Sequence, residues 1–71
     1  MPRWPDPSQV TWTPGITDGL SYERAGFNGR NLLVWESRPG RFEINIDGFA
    51  QDGSWKTADE AKAAAVRKAA Q

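Results

Sequence analysis

The chain has 71 residues and a formal net charge of +0, nine basic residues balancing nine acidic ones. It contains neither cysteine nor histidine, which excludes disulfides, thiolate and imidazole catalysis, and Cys- or His-ligated metal sites. With no long apolar run a transmembrane helix is excluded, and no cofactor is expected.

One domain follows from this length. Such a chain buries only roughly 60% of the surface its unfolded form exposes, so every large apolar side chain matters to stability. Four Trp, three Phe and one Tyr supply that material. The start of the chain has neither the charged-then-apolar order nor the apolar centre of a secretion signal, and cytoplasm is the expected location. Charge neutrality disfavours nucleic acid as a partner, because phosphate contacts usually demand a basic excess. It disfavours an acidic nucleic-acid mimic equally.

Residues 1–19 read as a Pro/Trp-rich N-terminal arm. Its opening, MPRWPDPSQVTWTPG, holds four prolines and two tryptophans. Each proline removes a backbone donor and pushes the preceding residue toward extended conformations, so no helix forms there. Val10 to Thr13 reads as one short edge strand, followed by turn signals at Pro14-Gly15 and Asp18-Gly19. Trp4 and Trp12 are left with two roles: they fold back over the domain, or they anchor a partner.

Residues 20–71 read as a β-meander followed by a helix. LSYERAGF and RNLLVWES flank Asn28-Gly29, the strongest two-residue hairpin signal. Closing the hairpin there pairs Phe27 with Arg30, Ala25 with Leu32, Tyr22 with Trp35, and Leu20 with Ser37. Pro39-Gly40 suits a type II turn, which matches hairpin twist poorly, so that loop is expected to be two residues or longer. Two- and four-residue loops both pair Ser37 with Phe42, Trp35 with Ile44 and Leu33 with Ile46. One face then gathers Leu20, Tyr22, Leu33, Trp35, Phe42, Ile44 and Ile46 as the core, with Arg24 at its edge. Asp47-Gly48 bends or bulges the strand, Asp52-Gly53 is a tight turn, and a short return strand sets Trp55 near Ala50.

The helix is signalled by TADEAKAAAVRKAA. Thr57 is the N-cap, with Glu60 three residues on as in a capping box. Asp59 and Glu60 complement the positive end of the helix dipole, and Arg67 and Lys68 the negative end. Ala58, Ala61, Ala65 and Ala69 share one stripe with Val66 at its edge. A stripe of methyl groups serves close approach to the sheet. The expected fold class is α+β: a three- to four-stranded antiparallel meander with one C-terminal helix packed on one face.

The same register puts Ala25, Phe27, Leu32 and Val34 on the reverse face, beside Glu23, Arg30, Glu36, Arg38, Arg41, Glu43 and Asn45. A solvated antiparallel face should be mostly polar, so the arm or a partner must cover this apolar stripe. The expected partner-binding residues are therefore Phe27, Leu32, Val34, Arg38, Arg41, Glu43, Trp4 and Trp12. A homo-oligomer through this face is a further option. Glu36 and Glu43 oppose one another, as do Arg38 and Arg41. Two close carboxylates can share a proton or hold a cation, but this pair lacks a cleft and a histidine, and diagonal Arg–Glu neutralisation explains it. Arginines pointing away from Trp35 and Phe42 leave no stacking platform for nucleic acid.

The run RPGRFEINI…GSWKTADEAKAAAVRKAA resembles the three-strand-plus-helix DNA-binding domain of the AP2 type and the related arm-binding domain of phage integrases. The likeness spans residues 38–70 and rests on Gly53-Ser54-Trp55 and on Thr57-Ala58-Asp59-Glu60-Ala61. It implies DNA contact through the sheet face, with Arg38 and Arg41 in the matching positions and Glu36 and Glu43 where positive charge is wanted. The chain is also similar in size and style to small bacteriophage and prophage orphan proteins, which implies an inhibitor that covers a surface of host defence machinery, as anti-CRISPR proteins do. The sequence thus points to a non-enzymatic protein acting by protein–protein contact, with DNA binding as the alternative.

Overall fold

The computed structural model describes residues 10–70. Five strands run in chain order, β1 (Thr13–Thr17), β2 (Leu20–Phe27), β3 (Arg30–Arg38), β4 (Arg41–Ile46) and β5 (Phe49–Ala50), followed by α1 (Ala58–Ala69). They form a single antiparallel meander in that spatial order. The α+β class stands, with one strand more than the sequence implied. Thr13–Thr17 is that edge strand, beginning where the expected Val10–Thr13 strand ends. No described helix is long and apolar enough to cross a membrane.

Three corners are built alike. Asp18-Gly19, Asn28-Gly29 and Asp47-Gly48 each hold both residues at positive φ, the geometry whose twist matches a two-residue hairpin. Asp47-Gly48 therefore closes β4 onto β5 and does more than bend the strand. The β2–β3 register agrees with the sequence reading, with Phe27 opposite Arg30, Ala25 opposite Leu32 and Tyr22 opposite Trp35. β1 continues the sheet, pairing Thr17 with Leu20 and Thr13 with Arg24. Residues flanking a two-residue loop exchange hydrogen bonds, so Thr13, Gly15 and Thr17 face β2 and Pro14 faces outward. Pro14 thus costs the ladder nothing.

The fourth corner departs from expectation. Arg38 lies opposite Arg41, but Glu36, not Ser37, lies opposite Phe42, and Val34 opposite Ile44. Ser37 is an extra residue, a β-bulge, and its hydroxyl donates to the Arg41 carbonyl at 3.3 Å. The Gly40 N–H donates to Glu36 Oε2 at 3.0 Å. The bulge absorbs the twist that the Pro39-Gly40 turn fails to supply. Because side chains alternate with period two, a one-residue shift exchanges the faces of everything upstream relative to β4.

The consequence is an inverted sheet. Leu32, Val34, Ile44 and Ile46 lie beneath α1, packed against Ala61, Ala64, Ala65, Val66 and Ala69, and Ala25, opposite Leu32, is buried on the same face. Leu32, at 1% exposure, and Val34, at 2%, belong to the core, whereas Tyr22, Leu33 and Trp35 lie on the other face. Aliphatic burial at about 1.5–3 kcal/mol per large side chain supplies the driving force. The alanine stripe explains why this register wins. Methyl groups permit close approach only over a low floor of Val, Leu and Ile; Tyr22 and Trp35 would hold the helix off.

The helix is seated at both ends. Thr57 Oγ1 accepts from the Glu60 N–H at 3.1 Å, which is the expected cap. At the other end Asn28 Nδ2 donates to the Ala69 carbonyl at 2.9 Å, tying the β2–β3 corner to the last helical turn. Trp55 does not pair with Ala50. It forms a backbone bridge with Phe42, its N–H donating to the Phe42 carbonyl at 2.9 Å and its carbonyl accepting from the Phe42 N–H at 2.7 Å, while Gln51 still donates its N–H to the Ile44 carbonyl at 2.9 Å.

Candidate functional site

The expected binding residues are dispersed by the bulge. Leu32 and Val34 are corrected from surface to core, so they form no docking surface. Phe27 is half-buried against the core cluster, as are Val10 and Trp12. Trp12 therefore folds back on the helix side, where Lys62 Nζ sits 5.4 Å from its ring centroid and 2.7 Å from Glu23 Oε2. Trp4 lies outside the described residues. Arg38 and Arg41 do oppose one another and are exposed.

Glu36 and Glu43 are separated. Glu36 pairs with Phe42 and Glu43 with Trp35, which places the two carboxylates on opposite faces of the sheet. The candidate carboxylate pair is thereby dissolved. Arg24 does lie opposite Leu33, but on the helix-free face and exposed, not at the edge of a core.

What emerges is a surface that no single sequence window displays. Directly paired residues in an antiparallel sheet share a face. Thr13, Arg24, Leu33, Asn45 and Ala50 therefore make one row across all five strands, and Gly15, Tyr22, Trp35 and Glu43 make the next. Tyr22, Leu33 and Trp35 are each half-buried, and Leu20 beside them is 46% exposed. The Tyr22 ring reaches over Gly15, where a Cβ would collide with it. Glycine at position 15 thus lets an aromatic ring lie flat across the edge strand. A shallow concavity of about 420 Å³ opens between Leu20, Tyr22, Leu33, Trp35 and Arg24.

Charge on this face is uneven. Arg24, Arg38 and Arg41 share it with Glu43, while Glu23 and Glu36 point to the helix side and Asp47 pairs with Arg30 at 3.3 Å. The overall neutrality of the chain hides this segregation. Asn45, in the middle of the row, keeps its Oδ1 buried without a hydrogen-bond partner. Arg38 and Arg41 thus share a face with Trp35, against the expectation that they diverge, whereas Phe42 lies on the helix side, away from them. The residues missed by sequence reasoning, Leu20, Tyr22, Arg24, Leu33 and Trp35, carried one usable signal. An alanine helix needs an aliphatic floor, and only Ala25, Leu32 and Val34 provide one from β2 and β3.

Comparison of the chain with protein-family models, with curated proteins and with solved structures finds no match.

Proposed function

We propose that the protein is a non-enzymatic binding module that acts by protein–protein contact through the helix-free face of its sheet. The observation that carries this reading is the cluster of Tyr22, Leu33 and Trp35 over two adjacent rows, flanked by Leu20 and by arginines, on a face covered by no described element. Trp, Tyr and Arg are the residue types that dominate binding energy at protein interfaces. A plate this small without catalytic groups acts on a partner by covering it. That is the mode the likeness to small phage inhibitors implies.

A second reading, DNA or RNA on the same face, is favoured by one observation: Arg24, Arg38 and Arg41 lie beside Tyr22 and Trp35. Glu43 opposite Trp35 and the exposed Leu20 fit a protein partner better, since carboxylates repel phosphate and leucine has no role in reading it. One experiment separates the two. A photo-crosslinking residue at position 22 is expected to yield discrete adducts in cells that are destroyed by protease and resist nuclease, while the same residue at position 68 on the helix yields none. Nuclease-sensitive adducts, or identical adducts from both positions, would overturn the protein-contact reading. Retention on heparin lost steeply with salt and with Arg24→Ala and Arg41→Ala would establish the nucleic-acid reading.

A further inference from the structure

The helix covers β3 and β4 but stops short of β1, and a second groove is left on its side of the sheet. This groove, of about 510 Å³, crosses the strands beyond the helix N-terminus, from Pro14 and Ile16 at the β1 edge to Phe42 and Ala58 at the far end. That volume falls within the range of about 300–1,000 Å³ typical of ligand pockets. Ile16 at its mouth is 76% exposed. Among the described residues its charged lining groups are Glu23 and Glu36, and no described cation lines it. Glu23 is held by Lys62. Glu36 is exposed, and with Oε2 on the Gly40 N–H its Oε1 makes no hydrogen bond among the described residues. Asp59 and Glu60, exposed in the first turn of α1, follow directly on Ala58.

We infer that this groove is a second contact surface, opposite in sign to the first, which seats a basic segment of a partner protein. An aliphatic side chain of that segment lies between Ile16 and Phe42, and an adjacent Lys or Arg meets Glu36. Charge complementarity selects this occupant: with Lys62 taken up by Glu23, an acidic or phosphorylated segment entering here would meet the Glu36 carboxylate, which makes no ion pair among the described residues. The protein would then bridge two partners, one on each side of a single sheet. The inference is independent of what binds the helix-free face.

The test is an NMR titration of the full-length, isotope-labelled protein with two amidated peptides, Lys-Leu-Arg-Leu-Lys and its acidic counterpart Glu-Leu-Glu-Leu-Glu. The basic peptide is expected to shift the amides of Ile16, Ser21, Glu36 and Ala58, leaving Arg24, Leu33 and Asn45 in place. Glu36→Gln, which keeps an acceptor for Gly40, weakens that binding about two- to fivefold, as loss of an exposed ion pair should. Leu33→Asp on the opposite face leaves it unchanged, which keeps failure here distinct from failure of the protein-contact reading. Absence of shifts with the basic peptide, equal shifts with the acidic one, or indifference to Glu36→Gln overturns the inference. Concentration-dependent shifts of the same amides in the free protein assign the groove to a second copy and overturn it as well.

Discussion

Neighbouring residues on β3 have opposite fates, and this is where the structure is most sharply testable. Val34 lies under the helix and Leu33 beside it faces out. Val34→Asp is expected to unfold the protein, because a carboxylate in that core has no partner and stability at this size is on the order of 5 kcal/mol. Leu33→Asp is expected to stay folded. Far-UV circular dichroism and urea unfolding of the two variants check this, and a folded Val34→Asp would mean the faces are misassigned. Asn45 offers a subtler case. Its buried, unpaired oxygen costs stability, so Asn45→Val should be neutral or stabilising by about 1 kcal/mol in urea midpoint experiments. A clear loss would show that the amide is bonded in solution.

At the level of elements, the helix depends on two small contacts with long reach. Thr57→Ala removes the N-terminal cap and should cost about 1 kcal/mol. Asn28→Gly keeps the positive-φ corner but loses the bond to the Ala69 carbonyl, and should cost about 0.5–1.5 kcal/mol. Chemical denaturation measures both, and near-additivity of the double variant is expected because the sites lie at opposite ends of α1. These elements were legible from residues alone: Asn28-Gly29 signals the β2–β3 hairpin, and Thr57 with the alanine spacing signals the helix. The β3–β4 corner was not. A turn motif shows only that its twist fits poorly, not whether the misfit is absorbed by a longer loop or by a bulge. β3 reads LLVW, apolar on both faces, so alternation could not arbitrate either. One unrecognised extra residue then moved the whole candidate surface to the wrong side. Deleting Ser37 should leave Val34 opposite Ile44, since Arg38–Pro39–Gly40–Arg41 still closes a two-residue loop. Cross-strand nuclear Overhauser contacts between those residues check the register.

Over the whole molecule, the sheet separates roles: a helix-packed side carrying the core and a groove lined by Glu23 and Glu36, and a side covered by no described element carrying Tyr22, Trp35 and three arginines. Pro14 settles how such a plate can be approached. Turned outward on β1, it interrupts the row of amide donors along that edge, and β5 at the other edge is only two residues long. Neither margin invites another chain to zip on through its backbone. Pro14→Val should restore the missing donor and promote self-association, detectable as light scattering or thioflavin fluorescence on concentration, where the parent stays clear. With strand addition discouraged, the proposed protein contact would fall to outward side chains, each replaceable without disturbing the backbone beneath. On that reading, such a margin would let the protein drift from one target to another by single substitutions while its architecture stays fixed.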